Sequence, residues 1–150
     1  MDNPYPVILN LKNKLVVIVG GGKTAARKIK GLIKTGAKVV VVSPELNPEI
    51  DQKKVNWKPK KYSKDDLRGA NLVIVCTNDS VINQQVTKDA SNKQLVNNTG
   101  EKKLSDFYNV AKIENKHLLF TIFTKGGSPI WAKKIKKQLS KWLVKQKWFY

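Results

Sequence analysis

Apolar residues in this chain fall in short, β-branched runs separated by helical or polar stretches. Leu15–Val19 reads as the first buried strand. A helical pattern follows over residues 24–34, and Thr35-Gly36 supplies a glycine stop. Lys38–Val42, with four consecutive valines, reads as a strand covered on both faces. Pro44 and Pro48 break the chain next. Val55-Asn56-Trp57 predicts a short third strand, and Ser63 a cap for a brief helix containing Asp65, Asp66 and Leu67. Residues 72–76 predict a fourth strand. Residues 81–90 predict a helix capped from Asn78, Asp79 or Ser80, and residues 94–97 a fifth strand. The order β-α-β-β-α-β predicts an α/β, Rossmann-like, doubly wound parallel sheet.

The tail has a different pattern. Residues 107–113 and 117–124 read as two strands of a hairpin joined by Glu114-Asn115-Lys116. Gly126-Gly127-Ser128-Pro129 then opens a helix to about Lys147, on which Trp131, Ile135, Leu139 and Trp142 form one apolar stripe. The stripe reads as core packing or a dimer seam. Lys133, Lys134, Lys136, Lys137, Lys141 and Lys145 cover much of the remaining surface. The resulting division is a Rossmann domain over 1–113 and a hairpin strand with a basic amphipathic helix over 114–150.

The junction between the first strand and the first helix carries the main chemical signal. Val19-Gly20-Gly21-Gly22-Lys23-Thr24-Ala25 matches G-x-G-x-x-A, with Gly20, Gly22 and Ala25 in the marked places. Gly20 permits the tight turn out of the strand, Gly22 lets a pyrophosphate approach the backbone, and Ala25 lets helix and strand pack closely. The helix N-terminus then offers unpaired N–H groups to phosphates. Lys23 either pairs with the pyrophosphate or points to solvent. At the end of the second strand, Ser43 by its hydroxyl or Glu45 by its carboxylate is the candidate for the adenosine ribose. That loop has no arginine for a 2′-phosphate, which favours NAD over NADP. Thr77-Asn78-Asp79 follows the fourth strand, on the side where open α/β sheets bind ligands.

Composition narrows the function classes. The 150 residues include 29 Lys plus Arg against 11 Asp plus Glu, a net charge of +18 that attracts polyanions. Arg27 and Arg68 are the only arginines, which argues against base-reading nucleic-acid recognition. The single cysteine, Cys76, excludes an internal disulfide and reads as a buried, inert thiol. Residues 1–14 lack the apolar core of a secretory signal, and no run is long enough to span a bilayer; the expected compartment is the cytoplasm. The lone histidine, His117, falls in the hairpin turn and reads as exposed, and no cluster has metal-ligand spacing. Asp106 follows the fifth strand after a polar stretch and is a candidate general base.

Tyr5-Pro6-Val7-Ile8-Leu9-Asn10-Leu11, Val19-Gly20-Gly21-Gly22-Lys23-Thr24-Ala25-Ala26-Arg27-Lys28 and Val42-Ser43-Pro44-Glu45 together resemble the precorrin-2 dehydrogenases, the dehydrogenase part of the sirohaem synthases. The resemblance continues in order through Val75-Cys76-Thr77-Asn78-Asp79, Leu95-Val96-Asn97, Ser105-Asp106-Phe107-Tyr108 and Thr124-Lys125-Gly126-Gly127-Ser128-Pro129. It implies NAD-dependent oxidation of precorrin-2 to sirohydrochlorin, with ferrous iron insertion an added activity of some members. It implies cofactor contacts at Gly22, Lys23, Thr24, Ser43, Pro44 and Glu45, and a catalytic aspartate at Asp106. It also implies a tetrapyrrole-facing turn at Gly126, Gly127, Ser128 and Pro129, and a homodimer. The substrate implied is ringed by carboxylates, which suits the excess of lysine. Two other classes remain: a non-catalytic NAD-binding or redox-sensing module, and a nucleic-acid-binding protein using the last helix.

Overall fold

The computed structural model describes residues 3–149. They divide into two compact units, residues 7–107 and a second made of residues 3–6 with 108–149.

The larger unit is built from β1 (Leu15–Val19), α1 (Lys23–Leu32), β2 (Lys38–Val42), β3 (Asn56–Lys58), β4 (Leu72–Val75), α2 (Ser80–Asp89) and β5 (Leu95–Asn98). Its strands form one five-stranded sheet in the order β3-β2-β1-β4-β5, every pair parallel. The central strands are apolar on both faces because both are covered. Val16, Ile18, Val41 and Ile74 pack with Ala25 and Ile29 of α1. Val17, Val19, Val42, Val73 and Val75 pack on the other side with Val86 of α2. Burying one such side chain contributes about 1.5–3 kcal/mol, so these two layers hold the sheet. The strand order reverses between β1 and β4, the position where open sheets of this kind form a ligand crevice.

Residues 64–67 form a single 3₁₀ turn under a Ser63–Asp66 capping box. Asp66 is buried and ion-paired to Lys60 at 2.6 Å and to Lys58 at 3.4 Å. Burial raises its pKa, but bonds from Lys60 and Ser63 outweigh that and hold its carboxyl below the ordinary value.

The second unit holds β6 (Ala111–Glu114), β7 (Leu119–Ile122) and α3 (Pro129–Leu143). β6 and β7 pair antiparallel, and Asn115 Oδ1 accepts the His117 and Leu118 N–H groups at the turn. His117 is exposed there, as expected. The hairpin strands are shorter than the expected 107–113 and 117–124. The first begins only at Ala111, and Phe107 instead gives its carbonyl to Asn97 of β5. The last helix also stops earlier than Lys147, at Leu143. After it, Lys145 and Gln146 donate to the Trp142 and Leu143 carbonyls, so the chain tightens into i→i−3 bonds. Trp148 and Phe149 then lie near Phe120 of β7, at ring separations of 6.5 and 6.1 Å. The apolar stripe is only partly packed: Trp131, Ile135 and Trp142 remain 65%, 40% and 52% exposed, Leu139 is half-buried, Trp142 meets Trp148 edge-on at 6.2 Å, and Leu143 is the fully buried residue of this helix. Among the described residues no helix is long and apolar enough to cross a membrane.

Candidate functional site

The carboxyl ends of β1, β2 and β4 bring the glycine turn, the 43–45 loop and the 76–79 loop together. Gly20 has φ +117° and donates its N–H to the Val42 carbonyl at 3.0 Å. A Cβ there would lie 2.7 Å from the Cys76 carbonyl oxygen, so the turns after β1 and β4 nearly touch at the strand-order reversal. Gly22 caps α1 and has open space where a Cβ would point. No side chain caps α1 and no acid lies in its first turn, so its N–H groups and positive end are available to an anion. The N-terminus of α2 is different: Asp79 already accepts from Val81 and Ile82. Lys23 is exposed, Thr24 is half-buried, and Ala25 is fully buried in the contact between α1 and the sheet.

Gly21, which the fingerprint leaves unmarked, is the most crowded of these glycines. A Cβ there would meet the Glu45 carbonyl oxygen at 2.2 Å and Ser43 Oγ at 2.4 Å. The Gly21 carbonyl also accepts the Asn47 N–H at 2.7 Å, which clamps the 43–47 loop onto the turn. Ser43 is buried and donates its hydroxyl to the Glu45 carbonyl at 2.6 Å. Its own carbonyl accepts Trp57 Nε1 at 3.0 Å. The hydroxyl of Ser43 is therefore spent on shaping its loop, whereas Pro44 and the Glu45 side chain are exposed.

Asn83 governs the 76–79 loop. It is buried on the inner face of α2, and its Oδ1 accepts from the Thr77 N–H at 3.3 Å and the Thr77 hydroxyl at 2.6 Å. Asn78 is exposed at the tip. The thiol of Cys76 is pushed up to about 11 by burial, with Lys28 partly offsetting this, so it stays protonated at neutral pH. Burial, aided by the charge of Arg27 and opposed by Cys76, lowers the pKa of Lys28. Lys28 Nζ donates to Asn97 Oδ1 at 3.1 Å, and Asn97 Nδ2 donates to the Phe107 carbonyl at 2.9 Å.

Asp106 lies along the outer edge of β5 rather than beyond its carboxyl end. Its N–H donates to the Val96 carbonyl at 2.7 Å, and its Oδ2 accepts the Val96 N–H at 2.8 Å. Ser105 does the same for Asn98: its Oγ accepts the Asn98 N–H at 2.9 Å and donates to the Asn98 carbonyl at 3.2 Å. The two residues close the backbone groups that an edge strand leaves open. The carboxyl of Asp106 is otherwise exposed.

Gly126, Gly127, Ser128 and Pro129 belong to the second unit. Gly126 has φ +80° and Gly127 donates to the Thr124 carbonyl at 2.8 Å. Ser128 caps α3 through the Trp131 N–H at 3.3 Å, and Pro129 occupies the first turn. Among the described residues no group of three His, Cys, Asp or Glu side chains is placed to hold a metal ion.

A glycine turn and an open helix N-terminus at the reversal point of a parallel sheet define a dinucleotide-binding α/β protein. Residues 7–111 match a family model described as NAD(P)-binding. The chain is 31% identical to the precorrin-2 dehydrogenase of Bacillus subtilis over 91% of its own length and 86% of that protein. It is 36% identical to the precorrin-2 dehydrogenase of Priestia megaterium, over 91% and 69%. It is 34% identical to the siroheme synthase of Photorhabdus laumondii over 89% of this chain, which spans 30% of that longer protein. A solved structure of the precorrin-2 dehydrogenase SirC superposes with a TM-score of 0.83 at 35% identity, covering 92% of this chain and 70% of the other. The chain belongs to the precorrin-2 dehydrogenase family.

Proposed function

We propose that this protein is a precorrin-2 dehydrogenase that oxidises precorrin-2 to sirohydrochlorin with NAD, a step of sirohaem synthesis. The observation that carries this is the near end-to-end match to the Bacillus subtilis dehydrogenase. The residues present suit the cofactor. Gly22 leaves room for a pyrophosphate, the first turn of α1 is uncapped, and the tight Gly21 contact holds the 43–45 loop beside it.

NAD, when bound, supplies the hydride acceptor. The N–H groups at the start of α1 would hold the pyrophosphate, with Lys23 adding positive charge, Thr24 contacting the cofactor and Ala25 letting the helix pack closely on the sheet. Glu45 binds the ribose, since the Ser43 hydroxyl is already donated within its loop, and Pro44 stiffens that loop. Thr77 and Asn78 border the nicotinamide end. Asp106 Oδ1 takes the proton released from the substrate, because Oδ2 is held by Val96. Gly126, Gly127, Ser128 and Pro129 line the tetrapyrrole side, and the lysine excess draws in its carboxylates. The segment 114–150 begins a region for substrate binding and dimerisation, which the exposed Trp131, Ile135 and Trp142 support. The reaction takes place in the cytoplasm, where NAD is held and Cys76 stays reduced.

A second reading is favoured by one observation: Asp106 is already engaged at the edge of β5. In that reading the protein binds NAD without turning over precorrin-2, and Asp106 serves only the sheet. Comparing NAD binding with NAD-dependent sirohydrochlorin formation separates the two. Binding with turnover supports the dehydrogenase, and binding alone supports the module.

A further inference from the structure

We propose that Asn83 is a positioning residue for the cofactor site, acting through Thr77. This rests on the assignment of the carboxyl edge of the sheet as the NAD site.

Asn83 sits on the inner face of α2 with Val86, at a place where an apolar residue would be expected, yet it is 5% exposed. A buried amide is tolerated only when its polar atoms are paired. Here each is used on one residue. Oδ1 accepts from the Thr77 hydroxyl at 2.6 Å and from its N–H at 3.3 Å, and Nδ2 donates to the Thr77 carbonyl at 3.1 Å. Every polar group of Thr77 is thereby fixed from α2. Asp79 pins the other side of the loop by capping α2. Asn78 is left between two fixed residues, exposed beside the glycine turn, which is close enough that a Cβ on Gly20 would lie 3.0 Å from the Thr77 nitrogen.

The clamp extends to the next strand. Asn98, only 1% exposed, donates from Nδ2 to Thr87 Oγ1 at 3.1 Å and to the Asn83 carbonyl at 3.4 Å. Its Oδ1 accepts the Gly100 and Glu101 N–H groups at 3.0 and 3.1 Å. The turns after β4 and β5 are thus tied through one pair of asparagines. Gly100 fits closely against them, since a Cβ there would lie 3.1 Å from Asn83 Nδ2. A rigid loop wall lowers the ordering cost of binding, so loosening it should weaken the cofactor rather than only the fold.

The test is NAD affinity, measured by titration of the full chain at a temperature where circular dichroism shows each variant folded. Asn83→Ala and Thr77→Val should each weaken NAD binding about tenfold. The double variant should lose clearly less than the product of the two single losses, because the Asn83–Thr77 hydroxyl bond is common to both singles and only the hydroxyl's bonds to the Asp79 backbone are lost in addition. Asn83→Asp retains the Oδ1 acceptor but sets a second oxygen against the Thr77 carbonyl, so it should bind NAD no better than Asn83→Ala. Gly100→Ala, which presses on the network without removing a bond, should weaken binding slightly, and it keeps the test available if Asn83→Ala does not fold. Unchanged affinity in Thr77→Val and Gly100→Ala, or multiplicative losses in the double variant, would overturn the proposal. Precorrin-2 turnover does not enter these readouts, so failure of the dehydrogenase reading would appear separately, as wild-type binding without product.

Discussion

Asp106 and Val96 exchange two hydrogen bonds, one from each backbone N–H, to the Val96 carbonyl at 2.7 Å and to Asp106 Oδ2 at 2.8 Å. One carboxylate oxygen therefore completes the sheet and the other faces outward. The two roles respond differently to substitution. Asp106→Asn preserves an acceptor for Val96 but cannot take up a proton, so it should keep its thermal stability and NAD affinity and lose most turnover. Asp106→Ala should lose turnover and also about 1 kcal/mol of stability, from the stranded Val96 N–H. Thermal unfolding and initial rates of both variants check this, and full turnover in Asp106→Asn would remove the residue from the chemistry.

Gly21 and Gly31 should respond to alanine with opposite signs. At Gly21 the added methyl meets the Glu45 carbonyl at 2.2 Å, so the 43–45 loop must move and NAD binding should fall at least severalfold. At Gly31, inside α1, nothing lies within 4 Å of the new Cβ. There alanine should stabilise the protein by about 0.5–1 kcal/mol and leave binding unchanged. Denaturant melts and NAD titrations of the two variants make the comparison.

Gly22→Asp separates fold from function at one position. Gly22 is the cap of α1 and has open space beside it, and aspartate is a favoured cap. The variant should melt at or above the wild-type temperature. Its carboxylate would occupy and repel the pyrophosphate position, so NAD binding should be abolished. A variant that binds NAD normally would remove the α1 terminus from the cofactor site.

Asp66 sets a pH dependence of stability. Burial raises its pKa, but Lys60 and Ser63 outweigh this, and the folded-state value lies below that of the unfolded chain. Its contribution is therefore present above the unfolded carboxylate value, about 3.9, and is lost as pH falls through the lower folded value. Asp66→Asn should be less stable at neutral pH and show a shallower loss of stability in acid. Chemical unfolding of both proteins from pH 7 down to the acid limb measures the difference.

The sheet was legible because β1, β2 and β4 are apolar on both faces, and a valine run admits few other readings. The open cap at Gly22 was legible for the same local reason, since strand, glycines and helix are adjacent in sequence. Gly21 was not, because its constraint comes from Ser43 and Glu45, which approach only when β1 and β2 pair. Asn83 and Asn98 were missed although each left a signal, a polar residue on an apolar helix face and a polar strand end. Their partners lie across tertiary contacts. The hairpin is shorter than the sequence predicts because Phe107, Tyr108 and Val110 are residue types that favour strands, while their neighbours Ser105 and Asp106 are drawn to the edge of β5. The last helix is shorter than the sequence predicts because nothing in Val144-Lys145-Gln146 forbids another turn; the return of Trp148 and Phe149 toward Phe120 accompanies its end.

The most direct measurement is anaerobic turnover of precorrin-2, generated in place, with the purified chain and NAD, following sirohydrochlorin by absorbance. The account predicts product that depends on both protein and NAD and that is lost in Asp106→Asn. NAD binding confirmed by titration with no sirohydrochlorin formed would contradict it and leave a cofactor-binding protein without this reaction.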